Sequence, residues 1–160
     1  MAKVDPIPKC MHTVTPGLTI KGCARAIEFY KNAFGAEEVM RMLAPGGSAV
    51  WHAELKIGDS VVFMNDEAAG MTAEAPSLTR PSSVHMWLYV PDCDAAFQRA
   101  VAAGGTVKMP PTDMFWGDRT GTILDPFGYA WTVATHVRDM SEDEMRRAGE
   151  EFARKMASGG

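Results

Sequence analysis

Apolar side chains along this chain follow two rhythms, one of period two and one near 3.6, and the switches between them mark its elements. Residues 13–20 read as a strand. Over 24–34 the apolar positions Ala26, Ile27, Tyr30 and Phe34 recur at helical spacing, with Gly35 as the stop. Strand-like runs follow at 36–43, 49–57 and 60–65. After a connector of small residues and prolines (66–82), the order returns. A strand at 84–90 leads to a helix at 92–103, opened by Asp92 and closed by Gly104-Gly105, then to strands near 106–109, 119–125 and 129–135. Past residue 140, a Ser141/Glu144 capping box precedes an apolar stripe of Met145, Ala148, Phe152 and Met156. This predicts a last helix at about 142–156, packed on its own domain or reaching across a dimer.

The halves are copies of one pattern, β-α-β-β-β. Sliding the sequence by seventy residues sets Leu18-Thr-Ile20 on Leu88-Tyr-Val90. It also sets Cys23, Ala26, Ala33 and Gly35 on Cys93, Ala96, Ala103 and Gly105, and Gly58 on Gly128. The expectation is an α+β fold: two tandem modules forming a curved, cup-like mixed sheet, plus a C-terminal helix. Residues 1–160 form one domain, with module one at about 12–66, a linker at 67–82 and module two at about 83–137.

Strands turn alternate side chains to opposite faces, so parity assigns the lining of such a cup. In 49–57, Ala49, Trp51, Ala53, Leu55 and Ile57 form an apolar row expected under the helix, which leaves His52, Glu54 and Lys56 opposite. In 84–90, Val84, Met86, Leu88 and Val90 leave His85, Trp87 and Tyr89 opposite. In 129–135, Trp131 and Val133 face the helix and Ala130, Thr132 and Ala134 do not. A face holding histidines, a carboxylate and large aromatics suits neither open solvent nor plain core; a concave pocket of mixed lining accommodates both. Met64 is placed on that face by parity, and the flexible thioether suits a pocket wall.

Composition narrows the function. The chain has 160 residues and a formal net charge of −4, and its basic residues form no stripe, so general nucleic-acid binding is not expected. No apolar run approaches the roughly 20 residues of a membrane span, and the opening MAKVDPIPK lacks a signal peptide's apolar segment, which points to the cytoplasm. Cys10, Cys23 and Cys93 are too few and too scattered for a disulfide framework or a zinc knuckle. Cys23 and Cys93 fall near helix starts, where a thiol pKa is lowered, but their default role is small apolar packing.

Thr19-Ile-Lys-Gly-Cys-Ala-Arg-Ala-Ile-Glu-Phe-Tyr-Lys-Asn-Ala-Phe-Gly-Ala-Glu37, His52-Ala-Glu-Leu-Lys-Ile-Gly-Asp59, Phe115-Trp-Gly-Asp-Arg119 and Asp125-Pro-Phe-Gly128 together resemble the glyoxalase/bleomycin-resistance/dioxygenase families of the vicinal oxygen chelate superfamily. The closest likeness is to its phosphonate-operon-associated, glyoxalase-like branch. The resemblance covers roughly residues 12–137. It implies paired modules around a cavity and a homodimer. Members include metal-dependent isomerases, lyases and dioxygenases as well as metal-free proteins that sequester drugs. Carried over, the superfamily's metal-ligand positions fall on Thr15, His85 and Thr132, with Val62 as the repeat partner of Thr132. Of these His85 alone is a strong ligand, so the usual centre is not expected, since a catalytic divalent site generally needs about three.

Two functions therefore compete. In the first, a small organic molecule binds in the cup without a catalytic metal. Trp87, Tyr89 and Trp116 meet its apolar part, Thr15, Met64 and Thr132 line the cup, and His52, Glu54, His85 or Arg119 meets its polar part. In the second, His52, Glu54 and His85 form a displaced site for Zn, Fe, Mn or Ni, or act as acid–base groups, in lyase, isomerase or dioxygenase chemistry. A filled cup would instead leave a purely structural or interaction protein. Arg119 either grips an anion or braces its loop in a salt bridge with Asp118, while His12 and His136 read as edge residues.

Overall fold

The computed structural model describes residues 4–70 and 73–158. The chain runs β1 (Gly17–Ile20), α1 (Cys23–Phe34), β2 (Glu37–Leu43), β3 (Val50–Ile57), β4 (Ser60–Asp66), β5 (His85–Tyr89), α2 (Cys93–Ala102), β6 (Thr106–Asp113), β7 (Asp118–Leu124), β8 (Ala130–His136) and α3 (Glu142–Ser158). Each half makes one four-stranded mixed sheet, in the orders β1-β4-β3-β2 and β5-β8-β7-β6. The first strand of each lies parallel to the last, and the remaining pairs are antiparallel. This is the α+β architecture of two β-α-β-β-β modules and a C-terminal helix that the repeat predicts.

Local chemistry sets the helix ends. Asp92 caps α2, its side chain accepting from the Ala95 amide at 2.9 Å. Gly35 closes α1 in the left-handed region (φ 68°), the conformation that favours glycine. The start of α1 is unusual, because Gly22 occupies the cap position and has no side chain to offer. Asp66, at the far end of β4, takes its place: Oδ1 accepts from the amides of Gly22 and Cys23 at 2.9 and 2.8 Å, and Oδ2 from Val50 at 2.7 Å. A carboxylate at a helix N-terminus is favoured by the exposed amides and by the dipole.

Both helices lie on the inner faces of their sheets and pack against each other. From α1, Tyr30 and Phe34 reach Trp131 of the second sheet, with ring centroids 5.2 and 4.7 Å apart. Beneath them Asp125, wholly buried, accepts from Tyr30 Oη (2.6 Å), Trp131 Nε1 (3.1 Å) and the amides of Phe127 and Tyr129 (2.9 Å each). Burial pushes the Asp125 carboxyl upward against these donors, and it pushes the Tyr30 hydroxyl well up too. Tyr129 Oη closes the junction by donating to the Thr19 carbonyl at 2.9 Å. The modules thus meet helix side to helix side, and each sheet's other face points away from the junction.

Several expected details change. β1 begins at Gly17, not 13, so Thr15 precedes the strand and its hydroxyl donates to the His12 carbonyl. β6 continues through Pro110-Pro111 to Asp113, which an edge strand with register shifts allows. Trp51 does not lie under α1: a register shift between Met42 and Leu43 gives the inward place to Val50 and leaves Trp51 55% exposed. Met64 is not on the cup face; it is fully buried in the core, in register with Ala53 and Leu18. Replacing Tyr30 with Phe removes one of the four donors to a solvent-free carboxylate. It should cost about 1–3 kcal/mol, read as a lower urea midpoint at unchanged slope; an unchanged midpoint would show that the module junction does not depend on this bond.

Candidate functional site

The outward face of the first sheet is built by cross-strand register. Met40 stands beside Glu54, Met42 beside His52, and Glu54 beside Phe63. His52 Nε2 lies 3.3 Å from Glu54 Oε1, and its ring meets Phe63 edge-on at 4.9 Å. Both methionines are more than 40% exposed. The result is a half-buried imidazole–carboxylate pair in an open apolar setting.

The outward face of the second sheet is richer. Trp87 is in register with Thr132, and Tyr89 with Ala134, while Thr122, Thr120 and Asp118 of β7 face Thr132, Ala134 and His136. Thr132 Oγ1 lies 2.7 Å from both His85 Nε2 and Thr122 Oγ1, a short polar chain along the floor. Thr120, in the same row, is wholly buried, and its hydroxyl has no hydrogen-bond partner among the described residues. Trp87, Tyr89 and Trp116 form a wall above, with Trp87 centroids 6.3 and 6.5 Å from the other two rings. A cavity of about 470 Å³ at the free edge of β5 is lined by Trp87 and Tyr89, by Met86, Leu88 and Trp131 from the junction side, and by Val14, Pro16 and Val61 of the first module.

Asp118, 4% exposed, organises that wall. Oδ2 accepts from Tyr89 Oη (2.9 Å) and Trp116 Nε1 (3.1 Å), and Oδ1 faces His136 Nδ1 at 2.7 Å. Burial opposes its charge, but the donors from His136, Tyr89 and Trp116 outweigh burial and hold the carboxyl below the usual range. Sequence reasoning missed both residues, assigning Asp118 to its neighbour Arg119 and His136 to an edge. Strand alternation carried the signal: successive residues face opposite ways, and the row Ala130, Thr132, Ala134 continues to His136.

Arg119 accordingly faces α2. Its guanidinium forks onto both oxygens of Asp94 and reaches Asp113 at 2.9 Å, so it braces β6–β7 against the helix and is not a ligand grip in the cup. Asp94 is held low by that fork. Cys23 and Cys93 are buried, and burial pushes the Cys23 thiol up to about 12 and the Cys93 thiol upward as well. Neither has the depressed pKa of a helix-start nucleophile.

The metal positions implied by the resemblance do not fit a metal. His85 Nε2 is engaged by Thr132, and Thr15 and Thr132 are weak donors. Val62 points into the core in register with Leu55, so the residue of β4 that faces as Thr132 does is Phe63. The displaced set does not converge within one chain either. His52 and Glu54 belong to one outward face and His85 to the other, and among the described residues no group of three or more His, Cys, Asp or Glu side chains could hold a metal.

No described helix is long and apolar enough to cross a membrane. The uncharacterized protein Rv0887c of Mycobacterium tuberculosis (strain H37Rv) is 38% identical over 138 residues, covering 84% of this chain and 81% of that one. The anthracycline biosynthesis protein DnrV of Streptomyces peucetius is 33% identical over 116 residues, 72% of this chain and 38% of its own length. Among solved structures, TioX from Micromonospora sp. ML1 superposes with a TM-score of 0.63 at 24% identity, covering 79% of this chain and 99% of that one. FosX, a fosfomycin resistance protein from Listeria monocytogenes solved with Mn(II) and sulfate, superposes with a TM-score of 0.60 at 15% identity, covering 83% and 95%. At these identities the solved structures share the fold alone. A family model matches residues 10–133, and with the relatives at 38% identity it makes this chain a member of the Glyoxalase/Bleomycin resistance protein/Dioxygenase superfamily.

Proposed function

We propose that this chain is a cytoplasmic homodimer that binds a small organic molecule in a cup formed by the module-one face of one copy and the module-two face of another. The observation that carries the reading is the orientation of the sheets. Because α1 and α2 occupy the junction, Met40, Met42 and Phe63 on one side and Trp87, Tyr89 and Trp116 on the other lie on outward faces. Exposed apolar surface rimmed by polar groups marks a binding or association surface. A second copy related by a two-fold axis presents the complementary face twice. Trp87, Tyr89 and Trp116 pack on the ligand's apolar part, and His52, Glu54, His85 and Thr132 bond its polar atoms. The unpaired cysteines suit a reducing compartment. The motifs Phe115-Trp-Gly-Asp-Arg119 and Asp125-Pro-Phe-Gly128 favour the phosphonate-operon-associated, glyoxalase-like branch.

The contact between His52 and Glu54 favours a second reading: an enzyme that moves a proton at this pair, Glu54 acting as the base and the imidazole fixed by it. Its activity would survive chelators and would be lost in Glu54→Gln with binding retained.

Thermal shift against aromatic antibiotics and dicarbonyl adducts tests the binding reading. A compound at one hundred times its Kd should stabilise the chain by about 2.7 kcal/mol, and Trp87→Ala should remove most of that gain. A panel without a stabilising compound, or stabilisation indifferent to Trp87, contradicts it. Sedimentation equilibrium should give a dimer for the wild type and a predominantly monomeric Met42→Glu; a monomeric wild type contradicts the shared cup.

A further inference from the structure

We infer that His136, backed by Asp118, anchors an acidic group of the bound molecule, so that the ligand class is an aromatic carboxylate. The inference rests on the cup reading and adds the ligand's charge and the residue that reads it.

The geometry begins with Asp118. Its three donors come from separate parts of the chain: Tyr89 on β5, Trp116 in the turn before β7, and His136 at the end of β8. One buried carboxylate therefore fixes the aromatic wall and the imidazole together. With Nδ1 committed to Asp118, the outward nitrogen of His136 is Nε2, and the ring is about half exposed. Among the described residues Nε2 has one partner, Asp139 Oδ1 at 3.0 Å, and the Asp139 side chain is fully exposed. An imidazole donating to a carboxylate at each nitrogen is an imidazolium. The Asp118 bond first, then the Asp139 bond, holds the His136 pKa above its ordinary value.

Asp139 thus marks what the ring accepts, and it is a replaceable partner. A solvated aspartate forfeits little on leaving, whereas a ligand carboxylate that takes its place gains the same charge-assisted bond together with contact against Trp87 and Trp116. The neighbouring charges do not compete. Arg138 is paired with Glu144 at the start of α3, and Arg119 faces α2, bound to Asp94 and Asp113. Tyr89 Oη donates to Asp118 and keeps its proton, its pKa raised by that bond. Among the described residues, His136 is the cation on this face whose outward nitrogen is held by nothing more than a solvated carboxylate.

The test uses the full chain and two probes of one shape, benzoate and neutral benzamide, followed by the His136 ring signals in NMR. Benzoate should shift those signals and raise the His136 pKa, and it should bind at least about tenfold tighter than benzamide, the factor that 1.4 kcal/mol supplies. Asp139→Asn removes the internal competitor and should tighten benzoate binding, while His136→Gln should make benzoate and benzamide equal. Benzoate stays ionised across the range, so its affinity should fall as pH rises above 6.5 through the raised His136 value. Equal binding of the two probes, unmoved His136 signals, or weaker binding by Asp139→Asn overturns the inference. Unmoved His136 signals with Trp87-dependent binding of a panel compound would overturn it and leave the cup standing; failure of the whole panel would remove the cup as well.

The same pair gives the fold a pH dependence. A raised folded-state pKa contributes stability that is complete below the unfolded value of 6.5 and is lost as pH rises through the folded value. The thermal midpoint of the free protein should therefore decline over that interval, and His136→Gln should flatten the decline. A midpoint that rises there contradicts the assigned charge state.

Discussion

Asp125 takes four hydrogen bonds with no access to water, one of them from Tyr30 across the module boundary, and that junction decides what the rest of each sheet is free to do. A carboxylate in such a place is costly unless its donors are complete, because its desolvation is offset only by those bonds. Completing them requires α1 of one module to lie against Trp131 of the other, so the helices are spent on holding the chain together. The faces they leave uncovered gather the half-exposed histidines and aromatic rings. In this chain the repeat does more than duplicate a fold: it points two dissimilar surfaces outward, one with methionines and an imidazole–carboxylate pair, the other with aromatics over a threonine floor.

Within the second face, Asp118 repeats the logic of Asp125 at smaller scale. It is buried, accepts from an aromatic hydroxyl and an indole, and ties together side chains that are remote in sequence. The difference is in the remaining donors: Asp125 has two backbone amides where Asp118 has a half-exposed imidazole. That exchange leaves the imidazole, unlike the amides, half exposed to solvent. Behind the wall, Phe115 packs on Phe152 of α3 with centroids 5.3 Å apart, and both Val137 and Arg138 donate to the Gly117 carbonyl, so the turn carrying Trp116 is held from both sides.

Much of this was legible beforehand. The seventy-residue offset, the helical stripe ending at Gly35, the Asp92 cap and the Ser141/Glu144 box are local signals, and each rests on interactions within a few residues. Parity put His52, Glu54, His85, Trp87, Tyr89 and Thr132 on outward faces because β3, β5 and β8 run regularly there. It failed where the ladder is irregular or the repeat slips. The shift beside Trp51 reversed one row, and in β4 the repeat offset drops by one, which moved Met64 and Val62 to the core and gave the outward place to Phe63. The adjacency of Asp118 and Arg119 suggests a bridge as one alternative, but strand alternation turns the two side chains to opposite faces. Asp66 capping α1 from more than forty residues away leaves no local trace, since tertiary contact alone creates it.

The claim that the cup is shared between copies is tested most directly by complementation. One chain carries His52→Ala with Glu54→Gln, a second carries Trp87→Ala, and neither alone binds the compound that best stabilises the wild type. After the two are mixed and allowed to exchange subunits, each mixed dimer should regain one intact cup, and ligand binding should return. Mixed dimers that form and remain unable to bind would place the cup inside a single chain and contradict the account.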